Sequence, residues 1–327
     1  MRAVYIEQFG GVENLAIRAV PDPPKPKGRE VVVRVRAAGM NRADLLQRKG
    51  LYPAPEGYST NIPGLEFAGE VIEVSDEVSS WKPSDRVMAI TAGEAQAEIV
   101  AVDESVLMRI PDGLSYSDAA AIPEAFITAH DAIFTLGDLR ADQTLLVHAV
   151  ASGVGIAAMQ MAKQAGVIVI GTSRTGDKLE RCRKLGLDHG IATVDAKFAD
   201  KVVGITDGKG ADVILDLVGA SYFNENLPSL AIKGRLILVG LTGGATAEFD
   251  LRRALQKRAR IIGTVLRGRS VEEKADATRA FVAHSMREIE SGAILPIVDK
   301  VFPLDQVREA HEYLESNQSF GKVILEF

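Results

Sequence analysis

The 327-residue chain predicts a two-domain α/β protein: a doubly wound parallel sheet in the middle, and a β-rich domain built from the beginning and the end. Three observations carry this expectation. Short strand-like runs broken by Pro and Gly fill the first third. From about Ser115 onward, apolar β-branched runs alternate with helix-like segments. The last stretch returns to mixed character and closes on an apolar strand. A chain of this length also exceeds one ordinary core.

In the first third, residues 30–37 read as a strand with partial alternation, and residues 67–74, 85–90 and 96–102 as further short strands. Pro21, Pro23, Pro24, Pro26 and Gly28, then Pro53, Pro55 and Gly57, punctuate them. Such spacing suggests a closed or partly rolled β domain. After Ser115 a helix is expected over residues 124–135. Apolar strands follow at 144–149, 167–172, 211–216, 235–240 and 260–264, each a continuous run of the kind that is buried on both faces. Helices over 154–165 and 177–185 sit between them, ending at Gly166 and Gly186, where a left-handed cap residue is wanted. This βαβ alternation implies the parallel sheet. In the tail, residues 303–314 form an amphipathic helix and 322–327 a closing strand that completes the first domain. The expected domains are 1–123 with 264–327, and 124–263.

Composition narrows the class. Apolar residues make up 46% and charged residues 25%, which suits a globular enzyme. A net charge of −6 gives no general attraction to nucleic acid or anionic membrane. The basic run from Arg252 to Arg260 reads as a solvated helix face, because no aromatics interleave it. One cysteine, Cys182, excludes an internal disulfide framework. The start lacks a secretory pattern and no stretch is long and apolar enough to span a bilayer, so a cytoplasmic protein is expected.

The strongest chemical signal is the loop Ala149-Val150-Ala151-Ser152-Gly153-Val154-Gly155, lying between a predicted strand and helix. With Ala158 it matches G-x-G-x-x-A. Gly153 would allow the tight turn, Gly155 a close backbone approach to a pyrophosphate, and the helix N-terminus its free N–H groups. The tip of the next strand decides the dinucleotide. NAD-preferring sites place an acid there, whereas this chain has Ser173, Arg174 and, a turn later, Lys178. A hydroxyl and two cations suit a 2′-phosphate, so NADPH is the expected cofactor.

No metal site is expected. One cysteine cannot build a Cys-rich zinc lobe, and His130, His148, His189, His284 and His311 lack ligand spacing. Without a Lewis acid, hydride transfer favours acceptors whose developing charge is delocalised, such as quinones or conjugated enones.

The chain resembles the quinone oxidoreductase branch of the medium-chain dehydrogenase/reductase superfamily, most nearly its tumour-suppressor-inducible type and more distantly zeta-crystallin. The resemblance rests on Asn41-Arg42-Ala43-Asp44-Leu45-Leu46-Gln47-Arg48-Lys49-Gly50-Leu51-Tyr52-Pro53, on Pro63-Gly64-Leu65-Glu66-Phe67-Ala68-Gly69, on Ala121-Ile122-Pro123-Glu124-Ala125-Phe126-Ile127-Thr128-Ala129, and on the ending Gly321-Lys322-Val323-Ile324-Leu325. It implies a GroES-like catalytic domain, a Rossmann domain, a cleft between them and a homodimer joined by edge strands near residues 260–266. Zinc-dependent relatives carry Cys where this chain has Asn41 and His where it has Leu65. By family position, Asn41, Asp44 and Tyr52 are expected at the reacting end, with Ser152 facing both phosphate and acceptor. Thr128, Val218, Val239, Gly240, Leu241, Leu266, Arg267 and Asn317 are expected around the nicotinamide. Many relatives place an Asn-Tyr pair near residues 190–193, where this chain has Gly190-Ile191-Ala192-Thr193, so the Tyr contact is expected to be lost or to be replaced by Thr193. The implied activity is NADPH-dependent quinone reduction. The alternatives are an enone or enoyl reductase, or an NADPH-binding sensor or structural protein with little turnover.

Overall fold

The computed structural model describes residues 1–327. They form two compact units, Met1–Ile127 with Leu266–Phe327, and Thr128–Val265.

The first unit begins with an antiparallel pair, β1 (Arg2–Ile6) and β2 (Leu15–Ala19). Its main sheet is organised by β3 (Glu30–Met40), where Val31, Val33, Val35, Ala37 and Ala38 are buried while Arg34 faces out. After α1 (Arg42–Arg48) come β4 (Glu66–Val74), β5 (Arg86–Ile90), β6 (Ile99–Asp103) and β7 (Leu107–Arg109). The strand expected over 96–102 starts only at Ile99. The reason is local: the Gln96 carbonyl accepts from the Val4 amide, and the Glu98 amide donates to the Arg2 carbonyl. Two short helices follow, α2 (Tyr116–Ala119) and α3 (Pro123–His130). The helix expected to continue to 135 changes at Asp131 to a π turn ending at Leu136.

The second unit is a six-stranded parallel sheet. Its strands are β8 (Thr144–Val147), β9 (Ile168–Ser173), β10 (His189–Ala192), β11 (Ala211–Asp216), β12 (Leu230–Leu238) and β13 (Arg260–Gly263). Their spatial order is β10-β9-β8-β11-β12-β13, the Rossmann order with its reversal between β8 and β11. Helices α4 (Gly153–Gln164), α5 (Gly176–Lys184), α6 (Ala199–Ile205), α7 (Ala220–Ser229) and α8 (Leu251–Lys257) connect the strands. The strand expected over 235–240 stops at Leu238, because the Val239 and Gly240 amides both turn to the Asp216 carbonyl. No helix is long and apolar enough to cross a membrane.

The chain then returns to the first unit through α9 (Val271–Glu290), β14 (Val298–Pro303), α10 (Val307–Glu315) and β15 (Lys322–Glu326). Strand β15 pairs with the end of β3, so the terminus completes a sheet begun at residue 30. One apolar cluster joins Val4, Ile6, Leu15, Met40 and Leu45 to Phe302, Leu304, Val307, Leu314, Val323 and Leu325. At roughly 1.5–3 kcal/mol for each large side chain buried, this cluster makes the discontinuous unit one body. The helix expected over 303–314 begins only at Val307, after a 3₁₀ turn, because residues up to Pro303 pair with β15.

Candidate active site

The nucleotide loop lies at the carboxyl end of β8, beside the reversal in strand order. Ser152 is the N-cap of α4, its Oγ accepting the Gly155 amide at 3.1 Å. The amides of the first turn beyond it have no partner inside the helix. The sharp turn is made by Ala149, at φ +47°, rather than by Gly153. Gly155 is required by crowding: a Cβ there would lie 2.6 Å from the Ala149 carbonyl and 2.7 Å from that of Val150.

At the end of β9, Ser173 is buried with its Oγ accepting the Thr175 amide at 3.4 Å. Arg174 beside it is exposed and spends no donor on the protein. Lys178 is half-buried in the first turn of α5. Asp216, fully buried, builds the ledge at the next two strand ends. Its Oδ1 accepts the Val218 and Gly219 amides at 2.7 and 2.9 Å, and its carbonyl holds Val239 and Gly240. Val218, Val239 and Gly240 are thereby fixed half-buried, with Leu241 exposed. The Thr128 Oγ1 is buried without a hydrogen-bond partner, a cost that a bound polar group would relieve. A capped helix N-terminus with no room for a Cβ, an unspent guanidinium and an orphaned hydroxyl together fit a phosphorylated dinucleotide.

Thr193 does not fit its expected role. It is buried, and its hydroxyl lies 2.6 Å from that of Tyr222, inside an aromatic group with His148 and Phe198. Its side chain therefore serves the core of the second unit. His148 is likewise structural, held between Thr172 and Asn226, and burial pulls its pKa below the usual histidine range.

The first unit holds a cluster of charged groups around the start of α1. Asn41 and Asp44 form a capping box there: the Asn41 amide donates to Asp44 Oδ2 at 2.7 Å. The other Asp44 oxygen accepts the Gly64 amide at 3.1 Å. Gly64 has φ +110°, and a Cβ on it would lie 2.5 Å from the Gln96 nitrogen, so only glycine delivers that amide. Asp44 is fully buried, and desolvation lifts its pKa to about 6 against the pull of those two amides. Asp44, expected to act at the reacting end, is buried in the first turn of α1, where both of its oxygens accept backbone amides.

Behind Asn41 lies an ion pair that the sequence reading did not single out. Glu66 and Lys322 are almost completely buried and 2.5 Å apart. Lys322 also donates to the Met40 carbonyl and to Asn41 Oδ1, both at 2.7 Å. Glu66 accepts from Asn41 Nδ2 at 2.8 Å and from the Glu124 amide at 2.7 Å. Asn41 is thus locked on both ends of its side chain.

Arg267 is also redirected. Expected beside the nicotinamide, it is buried, with Nε on the Ala92 carbonyl at 2.8 Å, Nη1 on the Tyr52 carbonyl at 3.1 Å and Nη2 on Gln47 Oε1 at 2.6 Å. Its guanidinium also sits 5.0 Å from the centre of the Tyr52 ring. It therefore positions the loop that presents Tyr52, and burial pulls its pKa below the usual arginine range. The Tyr52 hydroxyl makes no hydrogen bond within the protein, and burial, then Glu124, raises its pKa. Leu266 is buried, and Asn317, at φ +61°, accepts from Arg42.

Gln47, Glu66, Glu124, Lys274 and Lys322 were missed as site residues. Glu66, Glu124 and Lys322 had a usable signal, since each is a charge inside an otherwise apolar or small-residue run. Gln47 and Lys274 had none. No group of three or more His, Cys, Asp or Glu side chains is arranged to hold a metal ion.

Two family models match the chain: "Alcohol dehydrogenase GroES-like domain" over residues 27–129 and "Zinc-binding dehydrogenase" over residues 153–282. Human quinone oxidoreductase is 31% identical over 331 residues, covering 99% of this chain and 97% of that protein. Among solved structures, Escherichia coli quinone oxidoreductase complexed with NADPH superposes with a TM-score of 0.88 at 29% identity, covering 100% of both chains. An NAD-dependent alcohol dehydrogenase gives 0.89 at 31% identity, again covering 100% of both.

Proposed function

Because the chain belongs to the medium-chain dehydrogenase/reductase superfamily, among the quinone oxidoreductase relatives, and is an NAD(P)-dependent oxidoreductase, we propose that it reduces quinones with NADPH and without zinc. The observation that carries the reading is Tyr52: a phenol whose hydroxyl makes no hydrogen bond within the protein, on a loop pinned by a buried arginine. The positions occupied in zinc-dependent relatives by Cys and His are Asn41 and Leu65, which offer an amide already locked in place and an alkyl group.

The dinucleotide, when bound, supplies a hydride. The residues of the second unit would hold it: the α4 N-terminus and Ser152 at the pyrophosphate, Arg174 and Lys178 at the 2′-phosphate, and Thr128, Val218 and Val239–Leu241 at the nicotinamide. Preference for NADPH over NADH rests on Arg174, which has no other partner. In the first unit, the Tyr52 hydroxyl would donate a hydrogen bond to an acceptor oxygen on which negative charge develops. Asn41 and Asp44 support that wall of the site without meeting the acceptor.

We also propose a homodimer. Strand β13 is an unpaired sheet edge carrying Ile261, which is 39% exposed, and nearby Leu255 and Val265 are more exposed still. The single cysteine is buried, which suits a reducing compartment such as the cytoplasm.

The test is steady-state oxidation of NADPH against a panel of quinones, conjugated enones and simple aldehydes, with Tyr52→Phe beside the parent chain. Quinone turnover, lowered at least tenfold by Tyr52→Phe with NADPH affinity kept, is the expected result. Turnover of enones in preference to quinones assigns the reductase of carbon–carbon double bonds instead. Tight NADPH binding with no turnover of any acceptor overturns the enzymatic reading.

A further inference from the structure

In the first unit Glu124 lies within electrostatic reach of two other carboxylates, Asp44 and Glu66, and of three cations, Lys274, Arg267 and Lys322, and the compensation of the three acids is uneven. Glu66 on β4 has a cation in direct contact, Lys322 of β15. Asp44 on α1 has no cation in contact but receives two backbone amides. Glu124, in the first turn of α3, has neither: no hydrogen bond reaches either of its side-chain oxygens. The cations nearby are committed elsewhere. Lys322 is divided among Met40, Asn41 and Glu66, Arg267 holds Ala92, Tyr52 and Gln47, and Lys274 of α9 donates to the Arg269 carbonyl. The backbone of Glu124 is meanwhile fixed by its own amide on Glu66 Oε2. Its side chain is therefore a carboxyl with no hydrogen bond of its own on a half-buried, anchored residue, with Glu66 and Asp44 as like charges and Tyr52 within electrostatic reach.

We propose that Glu124 is a further catalytic residue of the reduction inferred above: a carboxylic acid that hands its proton to the acceptor as hydride arrives. This rests on that functional reading. A quinone that accepts a hydride, which a bound dinucleotide would supply, gains two electrons and one new bond to hydrogen and is left as a hydroquinone monoanion. The O–H bond of Glu124 breaks, the proton bonds to that anionic oxygen, and Glu124 remains as a carboxylate. Water then reprotonates it before the next cycle. Tyr52 orients the acceptor by hydrogen bonding and keeps its own proton, because burial makes the phenol a weaker acid than usual. Glu124 suits the task better. Burial and then Glu66 raise its pKa to about 8, against the opposing pull of Lys322 and Arg267, with Asp44 raising it further. An acid of that strength is still protonated at neutral pH and close to optimal for donation there.

Two measurements test the proposal. The first is a titration of the dinucleotide-free chain labelled with ¹³C-carboxyl glutamate, followed by NMR, with Glu124→Gln to assign the signal. The expected result is one glutamate signal titrating near pH 8 that disappears in the variant. A Glu124 signal in the ordinary carboxylate range overturns the proposal. The second is the pH profile of kcat and kcat/KM with the best quinone. Glu124→Gln is expected to lower kcat about 100-fold, to remove the alkaline limb, and to leave the Kd for NADPH within about twofold. Glu124→Asp is expected to restore part of the activity together with the limb. A parent chain that reduces quinones while Glu124→Gln keeps both the limb and kcat within threefold overturns the role of Glu124 and leaves the function standing. A parent chain that reduces no acceptor overturns the functional reading and this role with it.

Discussion

Replacing Lys322 by Met should destabilise the first unit severely, and removing its partner as well should recover part of the loss. Lys322 and Glu66 are 5% and 0% exposed. The ammonium uses its three donors on Met40, Asn41 and Glu66, so no donor is spare. Methionine fills a similar volume but leaves Glu66 ionised in the interior, with only the Asn41 side-chain amide and the Glu124 backbone amide to stabilise it. Breaking one side of a buried pair costs about 3–5 kcal/mol. For a body of this size that corresponds to about 10 °C in Tm. Glu66→Gln alone should cost about 1–3 kcal/mol, because Lys322 keeps two acceptors. In the double variant no uncompensated charge remains, so its loss should fall short of the sum by about 2 kcal/mol. The assay is urea unfolding followed by tryptophan fluorescence. The chain has one tryptophan, Trp81, which lies in the first unit against Glu104 and Arg109 and so reports that unit directly. Strict additivity of the two single losses would refute the view that Lys322 is there to compensate Glu66.

Three further outcomes are expected. Arg174→Ala should raise KM for NADPH about tenfold or more while changing KM for NADH little, since a charge-assisted bond to phosphate is worth about 1.5–3 kcal/mol. Equal effects on the two dinucleotides, measured by initial rates, would remove the assignment of Arg174. Gly155→Ala should abolish dinucleotide binding by fluorescence titration, because its Cβ would lie 2.6 Å from the Ala149 carbonyl and push the loop apart. Stability should fall as pH rises through the range in which Glu124 ionises. Its folded pKa, about 8, lies above the ordinary 4.5, so its contribution is complete below 4.5 and lost as pH rises through 8. Between pH 6.5 and 9 this amounts to about 2 kcal/mol. Glu124→Gln should flatten that slope in chemical denaturation, and an unchanged slope would mean that Glu124 ionises without cost. Two other acids act lower: Asp44 loses its contribution as pH rises through about 6, and Glu315, at about 2, loses its own only as pH falls toward that value.

The sheet of the second unit was legible because its strands are continuous apolar runs, and its phosphate loop because glycines sit between strand and helix. The return of the chain to complete the first unit was legible too, since Lys322–Glu326 reads as a strand with no other sheet to join. What escaped had other causes. Strand β10 is four residues long, and His189 and Ala192 are exposed, so it carries no apolar period. Helix α9 had a readable start, the reciprocal cap of Ser270 and Glu273, but its burial is spread over eight residues that include Lys274, Thr278 and Ser285.

In the site, the sequence supplied residue types but could not say where each donor or acceptor is spent. Arg267 next to an expected nicotinamide bed reads as a phosphate or carboxamide ligand. Only the three bonds to Ala92, Tyr52 and Gln47 turn it into a support for the Tyr52 loop. Thr193 offers a hydroxyl at the expected position, but Tyr222, remote in sequence, claims it. Asp44 and Glu124 invert the expectation most clearly. On sequence alone, Asp44 follows Asn41 in a motif that points to chemistry, while Glu124 is one acid at a helix start. Once the partners are counted, Asp44 is the acid that two amides seal away, and Glu124 is the one with its amide anchored and its carboxyl unclaimed. Free proton-exchanging capacity is a property of what surrounds a group, and those surroundings are set by contacts separated by 3 to 282 residues.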